Sequence, residues 1–120
     1  SLISEGCIIN AKAIKKSVIG NRSRIGEGTV IENSYIMGND FYQSLTDMKE
    51  DIENENQLIG IGERCYINHA LVDKNCRIGN DVYINGGKHL TNCSEELYCI
   101  KDGIVVIKKG KTLPDNFRIE

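Results

Sequence analysis

The sequence predicts an all-β solenoid, in which short parallel strands wind around a triangular prism. Large aliphatic residues recur every six residues along two stretches of the chain, and Gly or Asn falls where such units have to turn. The 120 residues include 12 Gly, one Pro and no Trp. A period of six fits neither a helix nor an amphipathic strand, but it fits a short strand that ends in a tight turn. Three such units complete one coil, and each coil is stable only against its neighbours.

The first repeat array spans residues 2–37. Each unit begins with a large aliphatic residue, and the residue four places later is small or moderately apolar. The unit starts are Ile3, Ile9, Ile14, Ile19, Ile25, Ile31 and Met37, and the accompanying residues are Cys7, Ala13, Val18, Ser23 and Thr29. We expect the aliphatic residues to fill the interior of the prism and the small ones to pack beside them.

Residues 38–58 leave the repeat and carry a run of charges, which predicts one long loop excursion. Leu45, Met48 and Ile52 lie at spacings of three and four, so one or two helical turns are expected between about Ser44 and Asn54. Two interpretations stay open, a solvated loop and a loop that contacts a partner.

The period returns over residues 59–85. The unit starts are Ile61, Ile67, Val72, Ile78 and Ile84, and Cys65, Leu71, Cys76 and Val82 follow four places on. Beyond Gly86 the pattern loosens, and residues 97–120 are predicted to form a final coil or cap around the apolar strand Ile104 to Ile107. Residues 1–120 are thus predicted to form a single domain. Because Ile3 is already in register, we expect another domain, further coils or another subunit to cover the first coil.

Composition excludes several classes of partner. Fifteen Lys and Arg against 17 Asp and Glu give a formal charge of −2, so nucleic acid is not expected as a partner. No apolar run reaches the 18 residues or so that a membrane span needs, and no export signal is recognisable. We therefore expect no membrane partner and a cytoplasmic location.

Five cysteines form an odd set without a CxxC pair, which predicts neither a zinc ribbon nor a disulfide framework. They are Cys7, Cys65, Cys76, Cys93 and Cys99. We expect reduced and mostly buried thiols.

Few residues suggest catalysis. Two histidines, His69 and His89, are too few for a three-histidine metal site, and no GxxxxGK[ST] phosphate loop is present. Hexapeptide-repeat acyltransferases use a histidine as general base, which leaves such an enzyme as an alternative. No catalytic residue, metal site or cofactor of the domain itself is predicted.

Lysines at the turns suggest an anion-binding site more strongly than the histidines suggest catalysis. Lys74 lies in "LVDKNCRIG", Lys101 in "CIKDG", and Lys108 and Lys109 follow the apolar strand in "GIVVIKKGK". A lysine at a corner of a rigid coil is a fixed cation, and two from successive coils could hold a phosphate as point charges. Solvated lysines at turns are the alternative.

Longer segments carry a specific resemblance. "SLISEGCII", "SVIGNRSRIGEGTVIENSYIMGNDFY", "IGIGERCYINHALVDKNCRIGNDVYI" and "YCIKDGIVVIKKG" together resemble the C-terminal domain of the ADP-glucose pyrophosphorylase (glucose-1-phosphate adenylyltransferase) family. The resemblance covers almost the whole chain and departs mainly in the excursion and around Lys88 to Glu96. It implies a left-handed parallel β-helix of hexapeptide repeats.

The family implies a function that these 120 residues do not perform alone. Its enzymes make ADP-glucose and pyrophosphate from ATP and glucose 1-phosphate, with Mg²⁺, in glycogen or starch synthesis. By the resemblance, the nucleotide motif and metal-binding aspartates belong to an N-terminal catalytic domain outside this chain. The β-helix of the family packs against that domain, takes part in a tetramer, homomeric or heteromeric, and helps to form an allosteric site. A plant source would imply a plastid.

The resemblance also implies effector-binding residues. Activator lysines of plant and cyanobacterial relatives lie in "IIDKNARIG" and after "SGIVTVIKD". The first maps onto Lys74 with Asp73 beside it, and the second onto Lys109 with Lys108 as the near alternative. Asp102 stands where the pattern has Ser, and we expect its charge to oppose anion binding. A purely structural assembly domain without an effector remains an alternative.

Overall fold

The chain forms a parallel β-helix with three sheets as its faces. The structure, a computed structural model, describes residues 2–40, 48–50, 53 and 59–120. Within these residues, strands of two to four residues wind through five coils, and each coil gives one strand to each sheet. No helix in the described part of the chain is long and apolar enough to cross a membrane.

All strands within a sheet are parallel, apart from one hairpin added to sheet 1. The parallel strands of sheet 1 are β1 (Leu2–Ile3), β4 (Val18–Ile19), β7 (Tyr35–Ile36), β10 (Ala70–Val72) and β15 (Ile104–Ile107). Sheet 2 contains β2 (Ile8–Ile9), β5 (Arg24–Ile25), β8 (Gly60–Ile61), β11 (Arg77–Ile78) and β16 (Thr112–Leu113). Sheet 3 contains β3 (Ala13–Lys15), β6 (Val30–Glu32), β9 (Tyr66–Asn68), β12 (Tyr83–Asn85) and β17 (Arg118–Ile119). The hairpin consists of β13 (Cys93–Ser94) and β14 (Tyr98–Lys101).

The core is a stack of aliphatic side chains, one from each strand of the prism. In sheet 3, for example, Ile31, Ile67 and Ile84 pair in register, and all three are fully buried. Sheets 1 and 2 repeat the arrangement through Ile19 and Ile36 and through Ile61 and Ile78. The predicted interior role is therefore confirmed for Ile19, Ile31, Ile61, Ile67, Ile78 and Ile84. It was wrong for Ile3, which is 48% exposed in the first described coil.

Steps of five residues shift two details of the predicted repeat. The last inward-facing aliphatic residue of the first array is Ile36, which is buried. The predicted unit start, Met37, is only half-buried. In most units the small inward residue lies two places before the aliphatic residue, because residues two apart in a strand share a face. The sequence-based prediction instead took the residue four places after each aliphatic residue. Where the next aliphatic residue comes after five residues, that choice is one place too late. It therefore selected Val18 and Leu71, which are half-buried on the outer face, and the inward residues are the buried Ser17 and Ala70.

Corners accept more than Gly and Asn. Left-handed backbone conformations occur at Lys16, Arg22, Arg64, His69 and Asp81 as well as at the predicted residue types. Backbone hydrogen bonds fix these corners to the preceding coil, as when Arg22 N donates to Glu5 O at 3.1 Å and Arg64 N to Glu27 O at 2.8 Å. The ladder thus imposes a strained conformation that these residues disfavour by themselves.

Two insertions interrupt the coils, where one had been predicted. The first separates β7 from β8, and in it residues 48–50 and 53 are helical. The remainder of the helical turns predicted between Ser44 and Asn54, including Leu45 and Ile52, lies outside the described residues.

The second insertion separates β12 from β15 and contains the hairpin. Strand β14 runs antiparallel to β15, and the two-residue turn Asp102–Gly103 joins them with φ values of 52° and 81°. Two left-handed residues are typical of the tight turns that match the strand twist of a hairpin. Residues 97–120 therefore hold a hairpin strand as well as the final coil.

The cysteines are less buried than the sequence predicted. All five are free thiols, and Cys65 and Cys76 are buried. Cys7 and Cys99 are half-buried and Cys93 is exposed. Cys93 and Cys99 lie outside the prism because they belong to the hairpin.

Candidate functional site

Lys74 and Lys109 occupy equivalent positions in consecutive coils. Each lies two residues beyond a strand of sheet 1, and these strands pair Val72 with Ile107. Gly110 N donates to Lys74 O at 2.9 Å and ties the second turn to the first. We call this place, with turn residues 74–75 and 109–110 between sheets 1 and 2, the lysine corner. The fold thus brings together the two lysines that the resemblance had singled out.

Asp40 completes the lysine corner, and no sequence pattern predicted this residue. Its Oδ1 lies 3.2 Å from Lys74 Nζ, and its Oδ2 accepts a hydrogen bond from Asn75 Nδ2 at 3.0 Å. Asp40 N in turn donates to Asn75 Oδ1 at 3.0 Å. The hydrogen bond from Asn75, then that from Lys74 and the positive charges of Lys74 and Lys109, hold the pKa of Asp40 below its usual range.

Asp73 and Lys108 precede the two lysines and have structural contacts. Asp73 Oδ1 accepts a hydrogen bond from Lys74 N at 2.7 Å, which fixes the start of the turn. Lys108 donates from Nζ to the carbonyl oxygen of Glu95 in the second insertion. Lys109, and not Lys108, therefore remains at the lysine corner.

Cys76 also lies behind this corner, where its Sγ contacts Lys108 O at 3.2 Å. Burial raises the pKa of the Cys76 thiol to about 11, against weaker lowering by backbone hydrogen bonds. The side chain therefore packs as a neutral thiol and adds no charge to the corner.

Asp102 lies too far away to oppose an anion there. It begins the turn before β15, whereas Lys109 follows the other end of that strand. A four-residue strand spans about 13 Å, beyond the screening length of about 8 Å at physiological ionic strength. The position of Asp102 gives no support to the expectation that its charge disfavours anion binding, because the sequence did not show which end of the strand faces the site.

Neither histidine takes part in this site. His69 is exposed at the corner between β9 and β10, with φ of 50°, and His89 is exposed in the second insertion. In the ranges that the structure describes, no group of three or more His, Cys, Asp or Glu is placed to hold a metal ion.

Two other surface features lie apart from the lysine corner. A shallow groove of about 650 Å³ runs over the outer face of sheet 1, past Leu2, Tyr35 and Leu71. At the turn between sheets 2 and 3, Arg64 pairs with Asp81 through two hydrogen bonds of 2.9 and 3.0 Å. None of the predicted effector residues lines the groove.

Comparison with known proteins identifies the family. Residues 1–117 match the GLGC left-handed parallel β-helix domain. The chain belongs to this family. The left-handed parallel β-helix of the sequence-based prediction is thereby confirmed, and so is the resemblance to ADP-glucose pyrophosphorylase that led to it.

A plant relative supports this assignment. The chain is 41% identical over 116 residues, 95% of its own length, to the "Glucose-1-phosphate adenylyltransferase small subunit, chloroplastic/amyloplastic" of Triticum aestivum. It spans 24% of the length of that relative. The chain is thus homologous to one domain of a glucose-1-phosphate adenylyltransferase.

Proposed function

We propose that this chain is the regulatory and assembly domain of a glucose-1-phosphate adenylyltransferase, and that it binds a phosphorylated metabolite between Lys74 and Lys109. The observation that carries the proposal is the equivalence of the two lysines in consecutive coils, joined by the Gly110 N to Lys74 O hydrogen bond. Neighbouring strands lie about 4.8 Å apart, so the backbones of the two lysines are held at close to that spacing. Two ammonium groups on such stems can contact one phosphoryl group together.

Catalysis is assigned to a part of the parent protein outside this chain. The chain corresponds to 24% of the wheat relative, so most of that protein has no counterpart here. We infer an N-terminal catalytic domain that uses ATP, glucose 1-phosphate and Mg²⁺, and an oligomeric, tetrameric parent. The domain itself is proposed to need no cofactor. The parent would act in a plastid if its source is a plant and in the cytoplasm otherwise.

Anion titration of the 120-residue chain tests the effector site. We expect 3-phosphoglycerate or a sugar phosphate to bind, and Lys74→Gln and Lys109→Gln each to weaken binding about tenfold, since each removes one charge-assisted contact. Lys101→Gln is the matched control, because Lys101 is an exposed lysine on β14 at the far end of β15. Equal affinities for all four proteins, measured by isothermal titration calorimetry, would contradict the proposal.

In the parent enzyme, Lys74→Glu should weaken activation and leave basal turnover intact, because the lysine corner holds no catalytic group in this proposal. A loss of basal turnover equal to the loss of activation would show that the substitution damages assembly instead.

A structural domain without an effector is the second candidate, and the exposed first coil favours it. Leu2 and Ile8 on the outer strands of sheets 1 and 2 are 66% and 57% exposed. Under this candidate the chain binds no phosphorylated metabolite, and Leu2→Glu with Ile8→Glu changes its association state in sedimentation experiments.

A further inference from the structure

We propose that Asp40 is a built-in competitor of the effector. Its carboxylate lies where an incoming phosphoryl group must contact Lys74, and it has to leave that position before the anion can bind. This inference rests on the anion site of the proposed function, and it adds a residue that regulates the affinity of that site.

A carboxylate and a phosphate both present anionic oxygens that accept hydrogen bonds from the same donors. Asp40 uses one oxygen for Lys74 and the other for Asn75, at 3.2 and 3.0 Å. Both are contacts that an anionic oxygen of an effector would make with the same donors. The positive charge of Lys109 also helps to lower the pKa of Asp40, so the carboxylate interacts electrostatically with both cations of the site.

The register brings Asp40 beside Lys74. Ile36 pairs with Val72 and Val72 with Ile107, so the position two residues later is Gly38, Lys74 and Lys109 in three consecutive coils. Gly38 O accepts a hydrogen bond from Asn75 N at 3.2 Å, which ties the turn after β7 to the lysine corner. Asp40, two residues beyond Gly38, therefore reaches Lys74 from the coil below.

Asp40 is held firmly but its ion pair is weak, as competition requires. The reciprocal hydrogen bonds with Asn75 join residues 35 positions apart and fix the backbone of Asp40 as well as its side chain. The side chains of Lys74 and Asp40 remain 42% and 46% exposed, and ion pairs of that exposure contribute little to stability. A ligand that offers more charge can therefore displace the carboxylate from Lys74.

Asp40→Asn tests the inference with inorganic phosphate and 3-phosphoglycerate as probes. The amide keeps the size of the side chain and an oxygen for Asn75, but it removes the charge that opposes the anion. We expect both probes to bind about two- to fivefold more tightly than to the unmodified chain, the range set by an exposed ion pair. Asp81→Asn is the matched control, since the side chain of Asp81 is 42% exposed, close to the 46% of Asp40, and it pairs with a cation at a different corner.

The outcomes separate the two proposals. Tighter binding by Asp40→Asn with an unchanged Asp81→Asn supports the inference, including the case in which only Asp40→Asn binds measurably. Unchanged or weaker binding by Asp40→Asn, with Lys74→Gln still weakening binding about tenfold, overturns the inference and leaves the anion site intact. Absence of binding in the unmodified chain and in Asp40→Asn overturns both.

Carboxyl NMR of the unmodified chain provides a second test that needs no variant. Saturating inorganic phosphate should shift the ¹³C resonance of the Asp40 carboxyl and raise its pKa as the contact with Lys74 is lost. The Asp81 carboxyl should not respond. A phosphate-bound chain with an unchanged Asp40 resonance contradicts the displacement.

Discussion

Thr29 shows at the scale of one residue how the solenoid accommodates a polar side chain in its interior. The residue is fully buried, and its Oγ1 donates to Gly62 O at 2.8 Å and accepts from Cys65 N at 3.1 Å. The hydroxyl thereby satisfies two backbone groups of the next coil, at a place where the strand ladder has a gap.

Thr29→Val tests this role, because valine has the same shape but no hydroxyl. We expect the free energy of unfolding to fall by about 1–3 kcal/mol, the cost of leaving a buried amide without an acceptor. Thr29→Ser retains the hydroxyl and loses one methyl group, so it should cost no more than about 1 kcal/mol. Urea unfolding measures both changes, and a Val variant as stable as the Ser variant would argue against the role.

Thiol reactivity is a second consequence at this scale. Burial raises the pKa of Cys76 to about 11 and also raises that of Cys65. At pH 8, a thiol of pKa 11 is ionised in about one molecule in a thousand, and only the thiolate reacts. Iodoacetamide should therefore modify the exposed Cys93 first, and Cys76 only after unfolding. Peptide mass spectrometry gives the order, and early modification of Cys76 would contradict the buried placement.

At the scale of the element, the sequence predicted the strands well and the corners less well. Ile19, Ile25 and Ile31 followed from the period alone, because inward side chains in a solenoid must repeat. The end of the first array was misplaced at Met37, since five- and six-residue steps differ only in the length of the turn, and turns accept many residues. The hairpin was missed because its two strands are too short to leave an alternating pattern.

The Asp102–Gly103 turn allows a matched test of these elements. Gly103 and Gly110 both have positive φ, of 81° and 71°. A Cβ on Gly103 would lie 2.8 Å from the backbone of Gly87, whereas one on Gly110 would have no neighbour within 4 Å. We expect Gly103→Ala to cost about 2–4 kcal/mol, from both the left-handed backbone and the clash, and Gly110→Ala about 1 kcal/mol, from the backbone alone.

Thermal unfolding with hydrogen exchange of β14 and β15 checks the pair. The exchange should accelerate in β14 and β15 of Gly103→Ala and remain as in the unmodified chain for Gly110→Ala. Equal destabilisation by the two substitutions would mean that the Gly87 backbone yields without cost.

The candidate site was predictable only in part. Lys74 and Lys109 came from the resemblance, and their equivalence in the coils gives that assignment a geometric basis. Asp40 could not be found, because it lies where the repeat breaks and its contact with Lys74 crosses the whole excursion in sequence.

At the scale of the whole molecule, stability should depend on the coil in which a residue lies. Apart from the antiparallel pairs of the second insertion, each strand pairs only with those of adjacent coils, so inner coils are covered on both sides and the first described coil on one. Ile67 is fully buried in the third coil, and Ile9 is half-buried in the first.

We therefore expect Ile67→Ala to reduce the free energy of unfolding by about 2–5 kcal/mol and Ile9→Ala by about half as much. Denaturant midpoints of the two variants measure the difference. Equal losses would show that the first coil is as well packed as the third.

The hydrogen-bond ladder also fixes the spacing between the backbones of the two lysines at the lysine corner. Gly110 N and Lys74 O lock the two turns together, so the separation of the lysine backbones belongs to the fold and not to the loop sequences. Only the flexible stems can adapt to an anion. In the proposed effector site, discrimination among phosphorylated metabolites would depend on side chains beside the pair, and a relative could change its effector by substituting those neighbours while both lysines stay where they are.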